Sequence, residues 1–135
     1  MRAPWRSRTV GDHGGGWVNQ KRKAAERRGR LGETAAALWL NLQGWSIVAR
    51  RVRTHAGEVD LIARRGRTTL FVEVKTRATR AELDLAIDQH RLSRVAAAAT
   101  MLAPRFARPG DDLRVDVILL APWSLPRHIR NAWIG

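Results

Sequence analysis

The fold is decided by one stretch, Glu58-Val59-Asp60-Leu61-Ile62-Ala63-Arg64-Arg65-Gly66-Arg67-Thr68-Thr69-Leu70-Phe71-Val72-Glu73-Val74-Lys75-Thr76. Two β-rich runs, 58–64 and 69–76, flank the turn residues 65–68, and charged residues alternate with apolar ones within each run. Alternation puts Glu58, Asp60 and Ile62 on one face of the first strand, and Phe71, Glu73 and Lys75 on one face of the second. A two-residue turn at Gly66-Arg67 has glycine at its first central position, as a type II′ turn asks. That register, which a four-residue loop shares, sets Asp60 opposite Glu73 and Glu58 opposite Lys75. The other face becomes Val59/Val74, Leu61/Val72 and Ala63/Leu70, apolar throughout and suited to a core. A three-residue loop would shift the pairing by one and mix the two faces.

Directly opposed carboxylates have Cβ atoms about 5 Å apart and repel. The register therefore asks for a positive group between them or a retained proton. A divalent cation meets the demand, since Mg²⁺ takes carboxylate oxygens at about 2.1 Å and keeps waters of its own. Lys75, two residues beyond Glu73 on the same face, can reach such a site and offset charge developing on a phosphate. The same residues admit a plainer reading. In it, Glu58 and Lys75 form a solvated cross-strand ion pair and Asp60 pairs with an arginine.

Upstream, Leu31, Ala35, Leu38 or Trp39 and Leu42 recur at helical spacing to about residue 42, with Gly44 as the stop. Ser46–Arg53 reads as a strand, and 54–57 as a turn. Downstream, Leu85, Leu92, Val95, Ala96, Ala99 and Leu102 mark an Ala-rich helix over 82–103, stopped by Pro104. Leu113–Leu120 reads as a strand ended by Pro122, and a short last element carries Ile129 and Trp133. The order α-β-β-β-α-β predicts an α/β domain over 29–135, a mixed sheet with flanking helices. Trp39, Trp45, Trp123 and Trp133 fall near apolar positions and are read as core or core edge.

The chain of 135 residues carries a formal charge of +13 and no cysteine. Disulfide frameworks, thiolate zinc sites and cysteine nucleophiles are thereby excluded. A charge of that sign points to a polyanionic partner, nucleic acid before an anionic membrane. Residues 1–28 hold eight basic residues against Asp12 and Glu26, together with Gly14-Gly15-Gly16. They have no repeating apolar face, and read as a basic, disordered tail. No run approaches the roughly 18 to 20 apolar residues of a membrane span, and the N-terminus lacks a signal-peptide core. A cytoplasmic protein with no membrane partner is expected. The four histidines, His13, His55, His90 and His128, match no ligand spacing, and Ser46, Ser93 and Ser124 lack a nucleophile elbow.

Asp60 followed by Glu73-Val74-Lys75 resembles the PD-(D/E)XK nuclease signature. The wider set of segments resembles the YraN-like family of small bacterial proteins, which is assigned to that superfamily. These segments are Gly32-Glu33, Gly57–Ala63, Phe71–Arg77, Arg91–Ala99, Arg114–Val117 and His128–Trp133. The resemblance runs from about residue 30 to the end. It implies a restriction-endonuclease-like fold, similar also to archaeal Holliday-junction resolvases. It further implies Mg²⁺ or Mn²⁺ held by Asp60, Glu73 and the Val74 carbonyl, with Lys75 assisting the attacking water. Glu33, which alone reads as a capping or solvated helix residue, joins the metal site under the resemblance. Two departures stand out. Val59 occupies the place of the proline in the motif name, and Arg91 stands where family members commonly have lysine. Arginine keeps the charge and can hold a phosphate bidentately.

The expected function is nucleic-acid binding with Mg²⁺-dependent hydrolysis of DNA phosphodiester bonds. Asp60, Glu73, Lys75 and Glu33 are the expected catalytic set. Arg77, Arg80, Arg91 and Arg94 are either phosphate grips or solvated helix charges; Asp116 is either a site residue or the partner of a nearby arginine. DNA is the expected partner, bound either structure-selectively, with branched or single-stranded forms as candidates, or nonspecifically; RNA is left open, and a homodimer would suit a branched substrate. The alternative is a non-catalytic nucleic-acid-binding protein of the same fold.

Overall fold

Apolar side chains occur on both sides of the central strands, so the sheet has to be covered twice. In the computed structural model, which describes residues 4–78 and 88–133, this is what the helices do. The elements are α1 (Pro4–Leu42), β1 (Ser46–Arg53), β2 (Glu58–Arg65), β3 (Thr68–Thr76), α2 (Gln89–Phe106), β4 (Asp112–Leu120) and β5 (Arg127–Ile129). The sheet runs β1-β2-β3-β4-β5 in chain order. All neighbours are antiparallel except β3 and β4, which are parallel and joined through α2. The expected mixed α/β order is present, with β5 as an added short edge strand.

The chain divides into two compact units, Met1–Leu31 and Gly32–Gly135. In the first, helix begins at Pro4, well before the start near Arg30 that apolar periodicity gives, so residues 4–28 are helical where composition reads as tail. Lysine, alanine, glutamate and arginine fill 21–28, all strong helix formers. Arg30 lies 3.9 Å from Glu26 at i,i+4 spacing.

In the second unit, Ala36, Ala37 and Leu40 of α1, with Trp45, pack on Leu61, Ala63, Leu70, Val72 and Ile118. Gly44, at φ 89°, closes the helix by taking the left-handed conformation that favours glycine. The opposite face holds a larger cluster, in which Leu92, Val95, Ala98, Ala99 and Leu102 of α2 cover Ile62, Phe71, Val115, Val117 and Leu119. The charged face of the hairpin is thus also a core face. Its acids sit at one end of an apolar strip rather than on a solvated surface.

The β2–β3 register is the one the turn chemistry predicts, with Leu61 opposite Val72 and Arg65 opposite Thr68. Gly66 has φ 59° and Arg67 has no positive φ, the type II′ pattern. The paired ladder stops at Leu61/Val72. Beyond it, Val59 joins the α2-side cluster while Leu61 and Ala63 stay on the α1 side, so the expected Val59/Val74 pair is not formed. The cause is local: the Asp60 carboxylate, not a β2 carbonyl, accepts the Val74 N–H.

Helix α2 is capped by Asp88, whose side chain accepts from the N–H groups of His90 and Arg91. It runs through Pro104 to Phe106 rather than stopping at the proline, because only its last turn is affected; the Ala107 N–H still reaches the Ala103 carbonyl at 2.8 Å. The expected start of this helix at 82–87, and Arg80, lie outside the described residues. Trp45 is buried as expected, with the Arg65 and Arg114 guanidinium groups 4.4 and 5.3 Å from its ring centroid. Trp123 overturns its core reading. It is fully exposed, at φ 60°, on the turn that Pro122 opens after β4.

Asp116 resolves toward the arginine partner. It is completely buried and accepts from Arg114 Nε (2.9 Å, Oδ1), Arg114 Nη2 (2.9 Å, Oδ2) and the Asn131 N–H (2.8 Å). His128 Nε2 lies 2.7 Å from Oδ2. Burial alone would raise its pKa, but the bonds from His128, Arg114 and Asn131 outweigh that and hold it below the usual carboxylate range. This cluster ties β4 to β5. Among the described residues, no helix is long and apolar enough to cross a membrane.

Candidate functional site

The site forms where β2 and β3 part. Asp60 is near the start of β2 and Glu73 lies past the middle of β3, and both face a cavity of about 420 Å³. Gly57, Glu58, Asp88, His90, Arg91, Arg94 and Val95 complete its lining. Gly57 makes a close approach here. A Cβ at this position would stand 3.2 Å from Arg94 Cβ and 3.3 Å from the Arg94 carbonyl oxygen. The β2 approach therefore presses against α2, and the helix's first two turns bring their basic residues over the acids.

Asp60 Oδ2 accepts the Val74 N–H at 2.7 Å. Its pKa is pushed up to about 7, first by burial and then by the nearby Glu73 carboxylate, with Glu33 and Glu58 adding to the effect. The Val74 bond pulls the other way and is outweighed. Glu73 is 3% exposed. Two cations converge on its Oε1: Arg91 Nε at 2.7 Å and Lys75 Nζ at 3.3 Å.

The expected set is therefore brought together in part. Asp60, Glu73, Arg91 and Arg94 share the cavity, and Lys75 adjoins it through Glu73. Lys75 does not pair with Glu58, as the plainer reading had it; Glu58 instead accepts from Arg53 Nε across β1 and β2 at 2.9 Å. Glu33 stands apart from the cavity lining and is held by Arg51 Nε at 2.6 Å. Its charge still acts on Asp60. Arg77 is also elsewhere: its Nη1 donates to the Thr76 carbonyl, while its N–H extends the β3–β4 pairing to the Leu120 carbonyl. Among the described residues, no three acidic or histidine side chains are clustered tightly enough to form a ready cage for an ion.

Sequence reasoning missed three participants. Arg51 holds Glu33 from a backbone at φ 50°, and no local pattern in β1 announces it. His90 and Asp88 reach the rim because α2 begins at Gln89. The Asp88-x-x-Arg91 opening, an N-cap residue followed by basic residues, was the available signal.

Fold and site together define a mixed α/β protein in which a buried Glu73 and a half-buried Asp60 lie beneath a basic helix start. Residues 32–120 match the family described as uncharacterised protein family UPF0102, the YraN family, and the chain belongs to it. A UPF0102 protein of Erythrobacter litoralis is 65% identical over 113 residues, covering 84% of this chain and 97% of the relative. One of Sphingopyxis alaskensis is 65% identical over 112 residues, covering 83% and 97%. One of Paramagnetospirillum magneticum is 48% identical over 121 residues, covering 82% and 90%.

Proposed function

We propose that this protein is a nucleic-acid-binding, metal-dependent endonuclease that hydrolyses DNA phosphodiester bonds. One observation carries the reading: two acids on adjacent strands, Asp60 and Glu73, face a common cavity whose rim bears Arg91 and Arg94. A pure phosphate binder gains nothing from acids placed against a polyanion. The donor set also fits a hard divalent cation. Burial and a neighbouring acid push Asp60 up to about 7, which marks a carboxylate short of positive charge.

Asp60 and Glu73 would hold Mg²⁺ or Mn²⁺. The Val74 carbonyl remains in the proposed set, since a strand residue's C=O shares an edge with its N–H. Such an ion supplies Lewis-acid polarisation of the phosphate and a more acidic water. The protein's own residues do the rest. Val74 orients Asp60 through its N–H, Lys75 sets a fixed positive charge beside Glu73, and Arg91 and Arg94 grip the phosphate backbone. Glu33 acts through Arg51 and the local field rather than as a direct ligand in this arrangement. Phosphate contacts carry no base information, so recognition is of backbone and shape, with branched or single-stranded DNA as the proposed substrate.

The non-catalytic alternative draws on one specific observation, that Glu73 is already neutralised by Arg91 and Lys75. The deciding experiment incubates purified protein with plasmid, single-stranded and branched DNA in Mg²⁺, Mn²⁺ or EDTA, beside Asp60→Asn and Lys75→Ala. Metal-dependent cleavage lost in both variants, with binding retained, is the expected result. Binding without cleavage under every metal condition would leave the alternative standing.

A further inference from the structure

The ion pair between Arg91 and Glu73 is lopsided. The arginine side chain is 58% exposed and the glutamate 4% exposed, yet Nε and Oε1 are 2.7 Å apart. Lys75, on the same oxygen, is only 11% exposed. Of the two cations, then, Arg91 is the one that can leave, and it sits in the first turn of α2 on the rim of the cavity. A guanidinium exchanges a carboxylate for a phosphate readily, because its fork matches both.

We propose that Arg91 is a phosphate-operated latch: a nucleic-acid phosphate draws it off Glu73, and only then is that carboxylate's charge available to a divalent cation. The inference rests on the paired-acid reading above and adds a regulation to it. While Arg91 and Lys75 both occupy Glu73 Oε1, the cavity offers an incoming cation little net negative charge. Moving Arg91 onto a phosphate restores that charge and places the phosphate beside the acids in one step. The coupling is reciprocal, so a bound cation must tighten phosphate binding by the same factor. Metal uptake is then favoured once the nucleic acid is bound.

The test is calorimetric titration of Mn²⁺ into the full chain, with and without a phosphorothioate-linked DNA oligonucleotide that resists hydrolysis. The variants are Arg91→Ala, Arg91→Gln and Asp60→Asn, with Arg67→Ala on the exposed β2–β3 turn as the control for loss of one positive charge. For the wild type, the oligonucleotide should raise Mn²⁺ affinity at least about fivefold, the low end of ordinary coupling. Both Arg91 variants should bind Mn²⁺ tightly without DNA and gain little from it, while Arg67→Ala follows the wild type. Equal Mn²⁺ affinity in wild type and Arg91 variants, unaffected by DNA but abolished by Asp60→Asn, would overturn the latch and leave the paired-acid reading intact. No Mn²⁺ binding in any of these proteins, DNA present or absent, would overturn both.

Discussion

The Val74 backbone N–H donates to the Asp60 carboxylate at 2.7 Å, binding the acid of β2 to the strand that carries Glu73 and Lys75. The link replaces a ladder bond at the point where β2 and β3 separate, so the separation that opens the cavity also fixes one of its acids. Asp60 is thereby held among the residues that line the cavity.

Asp60 makes the stability of the metal-free protein depend on pH in a direction opposite to most carboxylates. Folded, it titrates at about 7, against an ordinary value of 3.8. Between those values the folded chain holds a proton that the unfolded chain has lost, so stability falls as pH rises and levels off above about 7. The full effect is at most about 4 kcal/mol. Urea denaturation in EDTA at pH 5 and pH 8 should show Asp60→Asn more stable than the wild type at pH 8. The difference between the two should shrink at pH 5, other titrating groups cancelling in the comparison. A wild type that loses no more stability than the variant over this range would contradict the assignment.

Lys75→Ala removes one of two cations from a glutamate that is nearly sealed from solvent. The cost should be about 1–3 kcal/mol, the usual penalty for under-satisfying a buried polar group. Denaturant midpoints measure it, and cleavage of plasmid DNA should disappear while anisotropy still reports DNA binding.

Asp116→Ala strips a buried hub of its carboxylate and leaves Arg114, His128 and the Asn131 N–H facing a void. A loss of about 3–5 kcal/mol is expected. Because the folded pKa of Asp116 is depressed, its contribution is present above the unfolded value and fades as pH falls below about 4. Thermal melts of wild type and variant should therefore converge in acid and diverge at neutral pH.

Arg94→Ala deletes a cavity cation that no ion pair with Glu73 ties down among the described residues. DNA affinity should fall by a similar factor for unrelated sequences. The slope of log affinity against log salt should drop by about one. A change confined to one sequence would show base readout instead.

Much of this was written in the 58–76 stretch itself. Gly66-Arg67 forces an even register, and alternation then sends Asp60 and Glu73 to one face, so the acids could be placed together without coordinates. What alternation could not convey is where the ladder ends. The Asp60–Val74 bond redirects Val59 to the other core, and a period of two has no symbol for a side chain that takes over a backbone partner. Ion-pair partners were equally hidden. Glu73 finds Arg91 and Glu33 finds Arg51 at separations of 18 residues each, set by packing of helix on sheet rather than by spacing. Trp123 misled because an apolar residue between prolines looks the same whether the turn folds inward or outward.

Gly32 sets a limit on how this architecture can drift. A Cβ there would collide with Thr76 Oγ1 at the end of β3 unless that hydroxyl turned away, so the helix meets the strand in close contact at this point. One inserted or deleted residue next to this contact swings every later helical position through about 100°. Glu33 would then leave Arg51, and the Leu40 side of the helix would leave the sheet. Length changes in this chain can be absorbed before residue 32 or in the connections between strands, but at the Gly32-Glu33 junction the reading frame of the helix and that of the sheet are locked to each other.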